Sequence, residues 1–162
     1  MSAIQFHPIG YIYTPHKSLE NMPIQPAGAK AVKGTIEILP EYADGLQDIE
    51  GFSHITLFYH LHKVKEYKLK VTPFMDTKEH GIFACKSPTR PNAMGMSTVK
   101  LLAVDGNVLH IEEVDMLDGT PLIDIKPYWP KFDSRENVRM GWLEKQPEIV
   151  PVEELISDAR FV

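Results

Sequence analysis

Cysteine occurs once in the 162 residues, at Cys85, so no disulfide can form within the chain, and a lone thiol fits a reducing compartment. No apolar run approaches the ~18–20 residues that span a bilayer, and the opening MSAIQFHPIG has neither a basic start nor the apolar block of a secretory signal. A cytoplasmic location is the resulting expectation. Positive charge is in deficit: 17 Lys and Arg against 22 Asp and Glu leave a net charge of −5, which excludes wrapping nucleic acid through bulk charge but still allows a local basic patch. Missing motifs exclude further classes. There is no GxGxxG for a dinucleotide fold, no Walker loop, no GxSxG nucleophile elbow and no CxxC. The βαβ alternation of a doubly wound domain is absent as well.

What is present is a series of short runs rich in β-branched and aromatic residues. IQFHPIGYIYTP, KGTIEILPEY, SHITLFYHLHKV, YKLKVTPF, GIFACK, MSTVKLLAV and PLIDIKPYW each predict a strand, and ADGLQDIEGF predicts a turn or short helix. LLAVDGNVLHIEEVDM predicts a hairpin turning at Asp105, Gly106 and Asn107. HKSLENMPIQPAG, with its prolines and weak periodicity, predicts a loop. Near the end, PVEELISDARF predicts a helix starting at Pro151, with Val152, Leu155, Ile156 and Ala159 on one face. Seven or eight closely spaced strands with almost no long helix predict a mainly β protein. The expectation is one small antiparallel β-barrel over residues 1–145, followed by a tail over 146–162 with a short helix.

The segment HGIFACKSPTRPNAMGMSTVKLL interrupts this pattern. KSPTRPNAMG is too long and too rigid for an ordinary connection, which marks it as a candidate site. Cys85 reads as a small packing residue rather than a nucleophile. His60 and His62 share one face if their strand continues, but further ligands are not evident, so no metal is expected. HLHKVKEYKLK gathers Lys63, Lys65, Lys68 and Lys70, either as a basic patch or as the charged edge of a strand.

Three ordered blocks carry a resemblance. GFSHITLFYHLH, GIFACKSPTRPNAMGMSTVKLL and DMLDGTPLIDIKPYWPKFDSRENVRMGWLE are similar to the signature blocks of the TsaA-like, or YaeB-like, family of β-barrel S-adenosylmethionine (AdoMet) methyltransferases, and the likeness runs from about Ile4 to Glu144. The resemblance implies AdoMet as cofactor, a homodimer, and in the best-known members methylation of the exocyclic N6 amine of threonylcarbamoyl-adenosine 37 beside the tRNA anticodon. Carried over by matching motif, it implies cofactor contacts from Thr14, Pro15, His16, Ser53, His54, Lys86, Met96, Leu117, Asp118, Gly119 and Thr120. Two departures stand out: Lys86 sits where the family usually has Arg, which loses the bidentate fork, and RPNAMG replaces the frequent RPNPIG.

Chemistry at such a site needs cations for the cofactor's carboxylate and acceptors for its donors. Asp124, Lys126 and Tyr128 alternate in DIKPY and are the candidate catalytic group, orienting the acceptor or relaying its proton. Arg90, Asn92, Lys65, Lys68 and Lys70 are the candidate substrate contacts, with the tRNA anticodon arm as the expected partner. The acidic balance, and the extra C-terminal domain of some tRNA-modifying members, keep two alternatives open: a small-molecule methyltransferase, and an AdoMet-binding sensor without turnover.

Overall fold

Among the described residues eight strands form: β1 Gly10–Tyr13, β2 Lys33–Ile38, β3 His54–His60, β4 Lys70–Val71, β5 His80–Gly81, β6 Met94–Asp105, β7 Val108–Glu112 and β8 Thr120–Pro127. The computed structural model describes residues 3–145 and 156–157. Six strands close into an antiparallel barrel in the order β1-β2-β7-β6-β3-β8, while β4 and β5 pair separately. The barrel expected from the sequence is therefore the barrel observed. Closure leaves those six strands without a free edge.

Period-two alternation explains the core. In β3, Ile55, Leu57 and Tyr59 point inward while Thr56 and Phe58 are half-buried between them. Ile12, Ile36, Leu109, Ile111, Val99 and Leu122 from the other strands meet them, all fully buried. Each such Ile or Leu contributes roughly 1.5–3 kcal/mol through apolar burial. The β6–β7 hairpin turns where expected. Gly106, at φ +59, takes a left-handed position, and the Asn107 side-chain amide donates to the Ile38 carbonyl at 2.6 Å, tying the turn to β2.

A bulge decides which face β8 presents. Tyr59 pairs with Leu122 but Phe58 pairs with Asp124, so Leu122 and Ile125 face the core while Asp124 and Lys126 face outward beside Phe58 and Thr56.

Several expectations are corrected. The first strand starts at Gly10, not near Ile4; Ile4 and Phe6 are exposed, because Pro8 has no N–H to donate to the ladder. Of GIFACK only Gly81 is strand, as the end of β5, and a 3-10 turn follows at Ile82–Ala84. YKLKVTPF contributes only Lys70–Val71. β3 ends at His60, so His60 and His62 do not share a strand face. The helix expected over 151–161 falls largely outside the described residues, and Ile156, which is described, forms an antiparallel bridge with Pro23 instead.

Candidate active site

One end of the barrel opens into a cavity of about 430 Å³, within the usual range for small-molecule sites. Its floor comes from the C-terminal end of β3 and the start of β6. The Tyr59 hydroxyl and Ser97 Oγ lie 2.9 Å apart. Gly95 makes this possible: a Cβ there would come within 2.2 Å of the Tyr59 ring, so only glycine lets the ring lie across the strand.

The 113–119 connection between β7 and β8 brings in Asp115, which is only 8% exposed and lines the cavity. Its Oδ1 is fully buried and has no hydrogen-bond partner among the described residues. Burial pushes this carboxyl up to about 7, opposed by a hydrogen bond with Ser97 and the positive charge of Lys86. Burial, and secondarily the charge of Asp115, drives the Tyr59 hydroxyl well above its ordinary value, so it stays protonated. A buried acceptor without a donor is costly in a folded protein. Asp115 therefore fits a ligand carrying a charged N–H group, and Lys86 and Lys63, which line the same cavity, fit that ligand's carboxylate.

Thr14, His16 and Asp118 form a latch beside this cavity. The Thr14 N–H donates to Asp118 Oδ1 at 3.0 Å, its hydroxyl donates to the Met116 carbonyl at 2.8 Å, and the Asp118 N–H donates to the His16 carbonyl at 2.8 Å. His16 Nε2 lies 3.1 Å from the Val114 carbonyl, and since a carbonyl can only accept, that nitrogen carries the proton. Lys17 bridges Asp118 at 2.7 Å, and chiefly this contact, followed by the Thr14 N–H, holds the Asp118 carboxyl below its ordinary range. Gly119, at φ +72, donates to the Ile12 carbonyl, and Thr120 Oγ1 donates to the Leu117 carbonyl. These bonds hold the 113–119 connection, and hence Asp115, over the barrel mouth.

The sequence-derived residues fall into separate groups. Lys86, Met96, Leu117, Thr120 and Arg90 line the cavity, whereas Thr14, Pro15, His16, Asp118 and Gly119 belong to the adjoining latch. Ser53 and His54, bonded to each other at 2.9 Å, sit at the far end of β3, about five residues or ~16 Å from Tyr59. Asp124 and Lys126 pair on the outer barrel wall at 3.2 Å, and the Tyr128 ring sits edge-on to His54, 6.4 Å away. One chain does not bring that triplet to either cavity described here, because the β8 bulge turns it outward. Arg90 is held by its own loop: its guanidinium donates to the carbonyls of Ile82 and Cys85 at 3.1 and 2.7 Å. Asn92 is exposed, and its carbonyl accepts from the Met94 N–H.

A second cavity of about 780 Å³ shares Ile24, Gln25, Phe83, Cys85, Lys86 and Ser87 with the first. Phe74 and Trp142 give it aromatic walls, and Lys68 and Lys70 add cations, while Lys65 reaches neither cavity. Trp142 stacks on His80 at 4.4 Å and donates to the Ala84 carbonyl at 3.0 Å. Cys85 is half-buried on the common wall, with its thiol pushed up by burial, which keeps it protonated and weakly nucleophilic. No group of three or more His, Cys, Asp or Glu that could hold a metal occurs among the described residues, nor is any helix there long and apolar enough to cross a membrane.

Sequence reasoning missed Asp115, Ser97, Tyr59 and Gly95. Asp115 lies within VDML, and only the fold shows that all four of these residues are buried.

Comparison with known proteins gives a consistent picture. The profile of the tRNA-methyltransferase O N-terminal domain matches residues 11–134. A probable S-adenosyl-L-methionine-binding protein of Pyrococcus abyssi is 51% identical over 158 residues, covering 98% of this chain and 85% of the relative. The tRNA (adenine(37)-N6)-methyltransferase of Escherichia coli is 34% identical over 157 residues, covering 91% of this chain and 67% of the relative. The crystal structure of TrmO from Pseudomonas aeruginosa aligns with a TM-score of 0.73 at 33% identity, over 87% of this chain and 63% of that one. The chain thus spans somewhat under two thirds of that solved structure. With a matching domain profile, relatives above 30% identity and the same barrel, this chain belongs to the tRNA-methyltransferase O N-terminal-domain family.

Proposed function

We propose that this chain uses AdoMet to methylate the exocyclic N6 amine of threonylcarbamoyl-adenosine 37 in tRNA. The observation that carries the reading is the pair of adjoining cavities: a smaller one lined by both Asp115 and the cations Lys63 and Lys86, and a larger aromatic one with Lys68 and Lys70 on its wall. The first suits a zwitterionic cofactor, and the second suits a flat base attached to phosphates. Lys63, Lys68 and Lys70 lie at the same barrel end as both cavities, the arrangement that a macromolecular substrate entering there requires. The family membership, and the name of the Escherichia coli relative, support the same reading.

AdoMet supplies an electrophilic methyl group on sulfur. The chain's own residues bind and orient: Lys86 and Asp115 hold charged groups, the apolar wall including Met96 and Leu117 excludes water, and the latch fixes the loop that carries Asp115. Pro88 and Pro91 stiffen the Lys86 loop and lower the ordering cost of binding. A homodimer is part of this proposal. Ser53 and His54 lie at the opposite barrel end from Lys86, so all the motif residues can share one ligand only if a second copy supplies part of the set, and Val138 and Met140 are exposed apolar side chains available to cover a partner.

Mass spectrometry of nucleosides from tRNA prepared with and without the active protein tests the reading. Gain of N6-methylated threonylcarbamoyl-adenosine is the expected result. Methyl transfer to small metabolites alone, or AdoMet binding with no turnover on tRNA, would replace it by the small-molecule or sensor reading.

A further inference from the structure

We propose that Asp115 is the anionic partner of a charged amino group on the ligand, and that with Lys86 it makes the smaller cavity a receptor for the amino-acid end of AdoMet. This assignment rests on the AdoMet reading above. Asp115 lines the cavity, and its buried Oδ1 lacks a donor among the described residues. A sulfonium has no hydrogen to donate, so it cannot complete that atom's bonding. A ribose hydroxyl can donate, but it does not offset the charge of a buried carboxylate. An ammonium does both. The cation on the opposite side of the pairing is also in place: Lys86 is close enough to influence Asp115 electrostatically and has no ion pair of its own among the described residues. An α-amino acid presents an ammonium and a carboxylate a few bonds apart, which is the complement of this arrangement.

The pairing makes binding proton-linked. Without ligand, the Asp115 carboxyl takes up a proton near pH 7 because burial disfavours its charge; an ammonium beside it favours the ionised form and releases that proton. The other groups facing it do not mask this. Tyr59 on β3 stays protonated, Ser97 on β6 is neutral, and Lys86 is the charged group from the 85–93 loop. Farther round the wall, Lys63 and Arg90 are cations, and His62 is pushed down first by burial and then by Lys63, which keeps it neutral at pH 7.

Calorimetry with three probes tests the assignment: AdoMet, S-adenosylhomocysteine, and 5′-methylthioadenosine, which lacks the amino-acid end. Titrations at pH 7 in buffers of different ionisation enthalpy should show the wild-type protein releasing a fraction of a proton on binding the first two and none with the third. Asp115→Asn keeps the shape and should abolish the release. It should weaken AdoMet and S-adenosylhomocysteine roughly ten- to a hundredfold while leaving methylthioadenosine unchanged. Lys86→Met should weaken the same two ligands but retain some proton release. If all three bind and Asp115→Asn leaves their affinity ratios and proton release as in the wild type, the Asp115 assignment is overturned and the cofactor reading stands. If the wild-type protein binds none of the three, the cofactor reading and this assignment both fall.

Discussion

Replacing Asp115 by asparagine should stabilise the ligand-free protein at alkaline pH and hardly at acid pH. The carboxyl has an ordinary value of 3.8 and is raised by burial to about 7 in the fold. Between those values the folded state holds a proton that the unfolded state has lost, so stability falls as pH rises through the interval and then levels off. At roughly 1.4 kcal/mol per pH unit over about three units, the carboxylate costs on the order of 4 kcal/mol above pH 7, as an upper bound. Asparagine cannot ionise, so its variant lacks this slope, while any constant penalty for an imperfectly bonded amide shifts the whole curve without tilting it. Urea unfolding of both proteins at intervals from pH 4.5 to 8.5 measures the difference directly. The wild-type curve should drop relative to the variant between about pH 4 and 7 and run parallel above that. Parallel curves throughout would show that the Asp115 carboxyl is solvated in the folded protein, and would remove the physical basis for its pairing with a ligand cation.

Gly95→Ala places a methyl group where the Tyr59 ring lies, 2.2 Å from its nearest carbon, and should cost about 1–3 kcal/mol of stability while loosening AdoMet; an unchanged melting temperature would mean that the ring moves aside freely. Asp118→Ala leaves the buried Thr14 N–H without its acceptor and should lower stability at neutral pH by about 1 kcal/mol, seen as a lower urea midpoint. Because Lys17 and Thr14 hold the Asp118 carboxyl below its ordinary 3.8, the wild type should lose that advantage only in acid, as the pH falls below this value, and the two proteins should converge there. Lys68 and Lys70 replaced together by alanine should flatten the slope of log affinity for tRNA against log salt by up to about 0.7–0.9 per lysine, read by filter binding between 50 and 200 mM salt; an unchanged slope would place the phosphates elsewhere.

The sequence by itself determined the architecture. Alternation in SHITLFYHLH and the Asp105–Gly106–Asn107 turn are local signals, set by side-chain period and backbone preference, and they reappear as β3, which stops at His60, and as the β6–β7 hairpin. The motif blocks likewise located the family, and four of the residues they single out, Lys86, Met96, Leu117 and Thr120, line the smaller cavity. Tertiary structure decided the roles. Asp118 and Thr14 look like ligand contacts in sequence, yet once folded they bond to each other, because closing β1 against β8 brings positions 104 residues apart together. A single-residue bulge, invisible in composition, turned Asp124 and Lys126 to the outer wall. Asp115 went unnoticed because nothing in EEVDM marks the third acid as different from the others; only the folded chain shows it dehydrated and short of a donor. Patterns that depend on neighbours along the chain can be read from the chain, whereas desolvation and hydrogen-bond completion depend on which distant residues arrive.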